Sequence, residues 1–183
     1  MGARHALVAA ALILAGCGGG DEREAIPQPS SPDTINFSTP DFKDGEAIPA
    51  ELTCDGAGRA PTIVWRAIPP ETIEVVMVVD DPDASNGTFT HWTVYGLTGS
   101  TGSGLAPEGQ FPAGVLSGKN SAGKEGWTPP CPPEGETHRY SFAMYALPDA
   151  SGLESGADPA AVDRAVKTAM AYGRFMGTYK RGS

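Results

Sequence analysis

Apolar residues in this chain come in short blocks separated by glycine and proline. The most apolar block, Ile73-Glu74-Val75-Val76-Met77-Val78-Val79, is β-branched and stops at Asp80. It predicts a buried central strand with acidic residues at its C-terminal end. Phe89 to Tyr95, rich in aromatic and β-branched residues, predicts a second strand. In a third, Tyr140, Phe142, Met144 and Ala146 fall on one face and Ser141, Ala143, Tyr145 and Leu147 on the other. Both faces carry apolar groups, so this strand should be covered on both sides. Shorter candidates are Ile35–Phe37, Thr62–Arg66 and Phe175–Tyr179. One helical pattern interrupts the strands: Asp158 suits an N-cap, Pro159 the first turn, and Gly173 the closing position. Val162, Ala165, Val166, Ala169 and Met170 then form a stripe expected to pack on the sheet. The segment from Gly99 to Gly126 is a long, glycine-rich loop, of the kind that is functional or mobile. The pattern predicts a mainly β fold with long loops and a C-terminal helix.

The first 34 residues follow a different rule. An apolar run from Ala6 to Ala15 follows a weakly basic start. It is too short to span a bilayer, which takes ~20 apolar residues, and has the form of a secretory signal. Leu14-Ala15-Gly16-Cys17 resembles a lipobox, which makes residues 1–16 a lipoprotein signal peptide and Cys17 the lipidated residue. Gly18-Gly19-Gly20, Asp21-Glu22-Arg23-Glu24 and a Pro/Ser stretch follow, too polar to build a core. Residues 17–34 are therefore expected to be a disordered tether and residues 35–183 the domain. The protein should sit in a bacterial cell envelope, exported and lipid-anchored, on the outer membrane if the host has one.

Charge narrows the partners. Without residues 1–16, which contain Arg4, the 13 Lys and Arg of the whole chain become 12 against 22 Asp and Glu, a formal charge of −10. An acidic domain without a basic stripe excludes nucleic acid, and any phospholipid contact should be a local pocket. Of the three cysteines, Cys54 and Cys131 remain after lipidation. An even remainder in an oxidising compartment favours a disulfide, with a reactive Cys131 thiol as the alternative.

Three segments concentrate polar residues. Asp80-Asp81-Pro82-Asp83-Ala84 leaves carboxylates at a strand end, where a solvated turn would also place them. In Phe89-Thr90-His91-Trp92, an inward Trp92 would direct His91 to the opposite face by alternation. Such a histidine is more often structural than a ligand contact. From Trp127 to Tyr140, four prolines surround Cys131, whose N–H is the one backbone donor between Pro129 and Pro133. Such a loop either presents a donor to an anion or simply guides the chain over the sheet edge.

Taken together and in order, Asp81-Pro82-Asp83-Ala84, His91-Trp92, Pro132-Pro133, Gly135 and His138-Arg139-Tyr140 resemble the phosphatidylethanolamine-binding (Raf kinase inhibitor protein-like) family. Thr53-Cys54-Asp55-Gly56, Gly118-Lys119-Asn120-Ser121-Ala122-Gly123 and Pro130-Cys131-Pro132-Pro133 are similar to its bacterial YbhB/YbcL-type branch. The similarity runs from about Ile35 to Arg181 and includes the ending Gly173–Arg181 after a helix. It implies a β-sandwich with Greek-key-type connections and one small pocket for phosphate-like anions, including phospholipid head groups. His91 and His138 would donate to anion oxygens, Asp81 and Asp83 would orient the imidazoles or raise their pKa, and Tyr140 would offer its hydroxyl. Cys131 and Pro132 would form the rim. Two departures bear on selectivity: Ser85 stands where the family has proline, and Pro129 where the branch has glycine.

The expected function is binding of a small anion without catalysis and without cofactor or metal. An inhibitor acting on an envelope protease through the Gly99–Gly126 loop is the competing expectation. A metal-dependent hydrolase built on Asp81, Asp83, His91 and His138 is the third. The chain has neither a His-Glu-x-x-His motif nor a Gly-x-Ser-x-Gly elbow to support it.

Overall fold

A computed structural model describes residues 35–98, 102–103 and 112–182. The signal segment, Cys17 and the tether lie outside the described residues. In chain order the elements are β1 (Asn36–Ser38), β2 (Val64–Arg66), β3 (Glu74–Asp81), β4 (Phe89–Leu97), β5 (Gly102–Ser103), β6 (Leu116–Ser117), β7 (Thr137–Leu147), α1 (Pro159–Val166) and β8 (Ala171–Lys180). A short 3-10 turn at Ala50–Leu52 precedes β2.

Strand β3 lies at the centre of a five-stranded antiparallel sheet ordered β6-β4-β3-β7-β8. Every residue of β3 is buried, the apolar run Val75–Val79 as expected and the acidic Glu74, Asp80 and Asp81 with it. Because β7 returns beside β3, strands β3, β4, β6 and β7 form a Greek key, with the excursion through β5 inserted between β4 and β6. A smaller sheet, β1-β2-β5, lies on one face. Side-chain alternation divides the core accordingly. Val75, Met77, Val79, Phe142, Met144 and Phe175 pack with Phe37 and Trp65 of the small sheet. Val76, Val78, Tyr145, Leu147 and Tyr172 pack with Val162 and Val166 of α1.

The helix is shorter than its apolar stripe predicts. It ends at Val166, and the chain turns through Ala169 and Met170 into the ten-residue strand β8, so the last element is a strand. Gly173 does not close the helix. It pairs with Met144 in β8, where an added Cβ would lie 2.4 Å from the Ile35 carbonyl oxygen. The continuous β7–β8 ladder outweighs further helix growth, and its Tyr172, Phe175 and Tyr179 are good strand formers. Asp158 precedes the helix as expected, but its carboxylate faces Lys119 at 3.5 Å rather than the backbone N–H groups.

The free side of β8 is met by residues 44–48: Gly45 N–H donates to Met176 O, Ile48 N–H to Thr178 O, and Thr178 N–H to Glu46 O. The described part of the Gly99–Gly126 loop is tied down as well. Gly118 N–H donates to Thr93 O and Ser121 N–H to Thr90 O, so this stretch runs along β4 as a fixed strap.

Candidate functional site

The C-terminal end of β3 and the start of β4 and β7 meet at one end of the large sheet, and a cavity of about 350 Å³ opens there. Asp81, Phe89, His91, Cys131, Pro132 and His138 are among its lining residues. Pro82 ends β3, and the turn that follows is closed by Asp83 N–H donating to Asp81 Oδ1 at 2.8 Å. The other carboxylate oxygen, Oδ2, lies 2.7 Å from His138 Nδ1. Both side chains are almost fully buried, at 5% and 6% exposure, which makes this a desolvated aspartate–histidine pair. His138 Nε2 is 3.3 Å from Glu136 Oε2, a carboxylate that is itself largely exposed.

His91 reaches the same cavity by a device that alternation does not foresee. Val79 pairs with Trp92 while Asp80 pairs with Thr90, so His91 is an extra residue in a β-bulge. The expectation that His91 and Trp92 oppose each other is thereby overturned. Both rings contact Trp127, with centroids 6.3 and 5.6 Å away, and so they share a face. His91 Nδ1 lies 2.7 Å from Thr128 O, and Phe89 and Tyr140 flank the ring at 4.8 and 5.3 Å.

The two imidazoles are tuned in opposite directions. Burial depresses the His91 pKa, opposed by the Thr128 hydrogen bond and the Asp81 charge, and the net shift is downward. Burial opposes charge on His138 too, but its hydrogen bonds to the Asp81 and Glu136 carboxylates outweigh it and raise the pKa. His138 is therefore the more readily protonated ring of the pair and His91 the less readily protonated one.

Two residues expected at the ligand lie elsewhere. Asp83 is gripped by Arg139, with Nε at 2.8 Å and Nη2 at 2.6 Å, and the same pairing lowers its pKa. It reaches His138 only through its charge. Tyr140 is fully buried behind His91 rather than lining the cavity, and its hydroxyl has no partner among the described residues. Burial, then the charges of Asp81 and Asp83, push its pKa well up. Cys131 is bonded to Cys54, so the reactive-thiol alternative falls away. Sequence reasoning missed Thr128, whose carbonyl fixes the His91 tautomer, and Glu136. A backbone carbonyl leaves no trace in residue type, whereas Glu136, two residues before His138 on a strand, was visible. Among the described residues no three His, Cys, Asp or Glu side chains are grouped as a metal would need.

The model of the phosphatidylethanolamine-binding protein family matches residues 38–180. The chain belongs to that family. A Mycobacterium tuberculosis protein named as a lipoprotein, LppC, is 39% identical over 94% of this chain and 92% of its own length. A UPF0098 protein of Aquifex aeolicus is 40% identical over 76% of this chain and 85% of its own. Among solved structures, the family homologue CT736 of Chlamydia trachomatis superposes with a TM-score of 0.73 at 32% identity, covering 82% of this chain and 99% of that one. Escherichia coli YbcL gives a TM-score of 0.74 at 23% identity over 80% and 98%, a likeness of fold. Family membership accounts for the sandwich and the ordered motifs. What the pocket holds must be argued from its chemistry.

Proposed function

We propose that this protein is an exported, lipid-anchored binding protein that takes a small oxyanion, phosphate-like or a phospholipid head group, and performs no chemistry on it. The observation that carries this reading is His138. Its buried ring is held by Asp81 on Nδ1 and turns Nε2 to the cavity side, where among the described residues the exposed Glu136 carboxylate is its competitor for a ligand. Behind the His91 ring the buried Tyr140 hydroxyl, without a partner among the described residues, makes that ring's surroundings responsive to what the cavity holds. Around them, Phe89, Pro132 and Pro133 form apolar walls that exclude water and strengthen such bonds. Absence of catalysis is supported by the rim sulfur being bonded to Cys54 and by both Asp81 oxygens being engaged. The lipobox at Cys17 and the similarity to a protein named as a lipoprotein support the anchor.

The test is a two-dimensional NMR titration of the full chain, held in a sugar-headed detergent, with inorganic phosphate, acetate and phosphoethanolamine. Saturable shifts at His91, His138 and Tyr140, lost in His138→Ala, are expected. Wild-type spectra unmoved by millimolar additions of all three would overturn the reading.

A further inference from the structure

We infer that the pocket selects oxyanions that still carry a proton, an acid phosphate or a phosphate monoester, over diesters and over sulfate, because it presents an acceptor nitrogen on His91 beside a donor nitrogen on His138. This rests on the anion-binding reading above and narrows its ligand class.

The argument begins with Thr128. Its carbonyl oxygen, 2.7 Å from His91 Nδ1, can only accept, so Nδ1 carries the hydrogen. In a neutral ring Nε2 is then a bare lone pair. The tautomer cannot easily exchange, because Thr128 is strapped in place twice: its N–H donates to His91 O at 3.0 Å, and its hydroxyl takes a hydrogen bond from Asn120 Nδ2 at 2.6 Å. Nor does the ring readily take a second proton, since it is 5% exposed between Phe89 and Tyr140. The charged groups around it are few. Strand β3 and its turn bring Asp81 and Asp83, and β7 with the residues before it brings Glu136, His138 and Arg139. Pro129–Pro133 bring no titrating side chain, since Cys131 is in the disulfide. Asp81 is occupied by His138, Asp83 by Arg139, and the His138 cation disfavours a second positive ring.

His138 is the opposite case. Its Nδ1 faces one carboxylate and its Nε2 another, so both nitrogens carry hydrogen and the ring is a double donor. A ligand bridging the two histidines therefore needs a lone pair for His138 and a hydroxyl hydrogen for His91. A phosphate monoester monoanion has both. A diester or sulfate has only oxygen lone pairs, one of which would face the His91 lone pair. Sites that demand a ligand hydroxyl reject analogues lacking it strongly, because a buried polar atom is otherwise left unpaired. Intact membrane phospholipids are diesters, so free phosphate compounds become the favoured source over the lipid surface.

The experiment is calorimetric titration of the full chain in sugar-headed detergent with inorganic phosphate, methyl phosphate, dimethyl phosphate and sulfate. It is run on both sides of each ligand's second pKa, about 6 for a phosphate monoester and higher for inorganic phosphate. On the acidic side, inorganic and methyl phosphate should bind at least about tenfold more tightly than dimethyl phosphate and sulfate. That advantage should shrink as the ligands lose their last proton. Equal binding of all four would overturn the selectivity while leaving anion binding intact. Binding of none would overturn both.

Discussion

Replacing both half-cystines with alanine isolates the contribution of the Cys54–Cys131 bridge. The two residues are 77 positions apart, and the bridge fastens the turn after Ala50–Leu52 to the proline loop that rims the cavity. Both residues are exposed, so alanine leaves no core cavity and the loss is chiefly one of loop closure. For a loop of that length the unfolded chain regains entropy equivalent to about 4.5 kcal/mol at 25 °C. In a domain of roughly 150 residues this lowers Tm by on the order of 10 °C. The folded geometry should survive, because Cys54 N–H still donates to Pro130 O and the Trp127 indole to Gly58 O. The assay is thermal and guanidinium unfolding followed by circular dichroism, with the wild type measured in oxidising and reducing buffer. The variant should match the reduced wild type and should itself ignore reductant. A loss below about 1 kcal/mol would refute the loop-closure account, since it is well under the usual 2–4 kcal/mol of native bridges.

The histidines should titrate apart: by NMR, His138 above and His91 below the ordinary value of 6.5. Stability from the His138 pairing is complete below 6.5 and is lost as pH rises through its raised pKa. Stability from neutral His91 is present above 6.5 and is lost as pH falls through its lowered pKa, so a single shared titration would contradict the site's electrostatics. Gly177→Ala places a Cβ 2.6 Å from Ile48 Cγ1 and 2.7 Å from a Phe42 ring carbon, and should cost about 1–3 kcal/mol. An unshifted denaturation midpoint would count against that contact. Glu74→Ala removes the acceptor for Gly96 N–H, Ser151 N–H and the Ser151 hydroxyl, and should cost about 2–3 kcal/mol. Faster amide exchange at Gly96 and Ser151 would accompany it; exchange at the wild-type rate would sink the assignment.

How much of this was legible depends on what each feature obeys. Strands β3, β4 and β7 were read within a few residues, because burial on one or both faces writes directly into side-chain type. The two cysteines and the histidine-bearing motifs were legible for the same reason: few residues can do their chemistry. The helix end was not, since Val162, Ala169 and Met170 must be apolar whether the chain reaching them is a helix or a turn. The His91 bulge was hidden because register depends on the partner strand, and one extra residue inverts every inference drawn from alternation. Asp83 raises the His138 pKa through its charge as expected, but its grip on Arg139 was not legible, since Arg139 adjoins His138 in sequence and nothing in residue type says which neighbour a carboxylate will choose.

The segment at residues 44–48 has a consequence for how copies of this protein can meet. Strand β8 would otherwise present a row of unpaired amides and carbonyls, the template on which foreign strands and identical chains add. Gly45, Glu46 and Ile48 consume those groups from Met176 to Thr178, and Asp44 takes the Met176 N–H. At the opposite border β6 is only two residues long, too short to nucleate pairing. The large sheet is thus closed to extension at both margins. Copies at high local concentration can collide without polymerising through it, and a protein partner must grip loops or side-chain surface rather than extend that sheet.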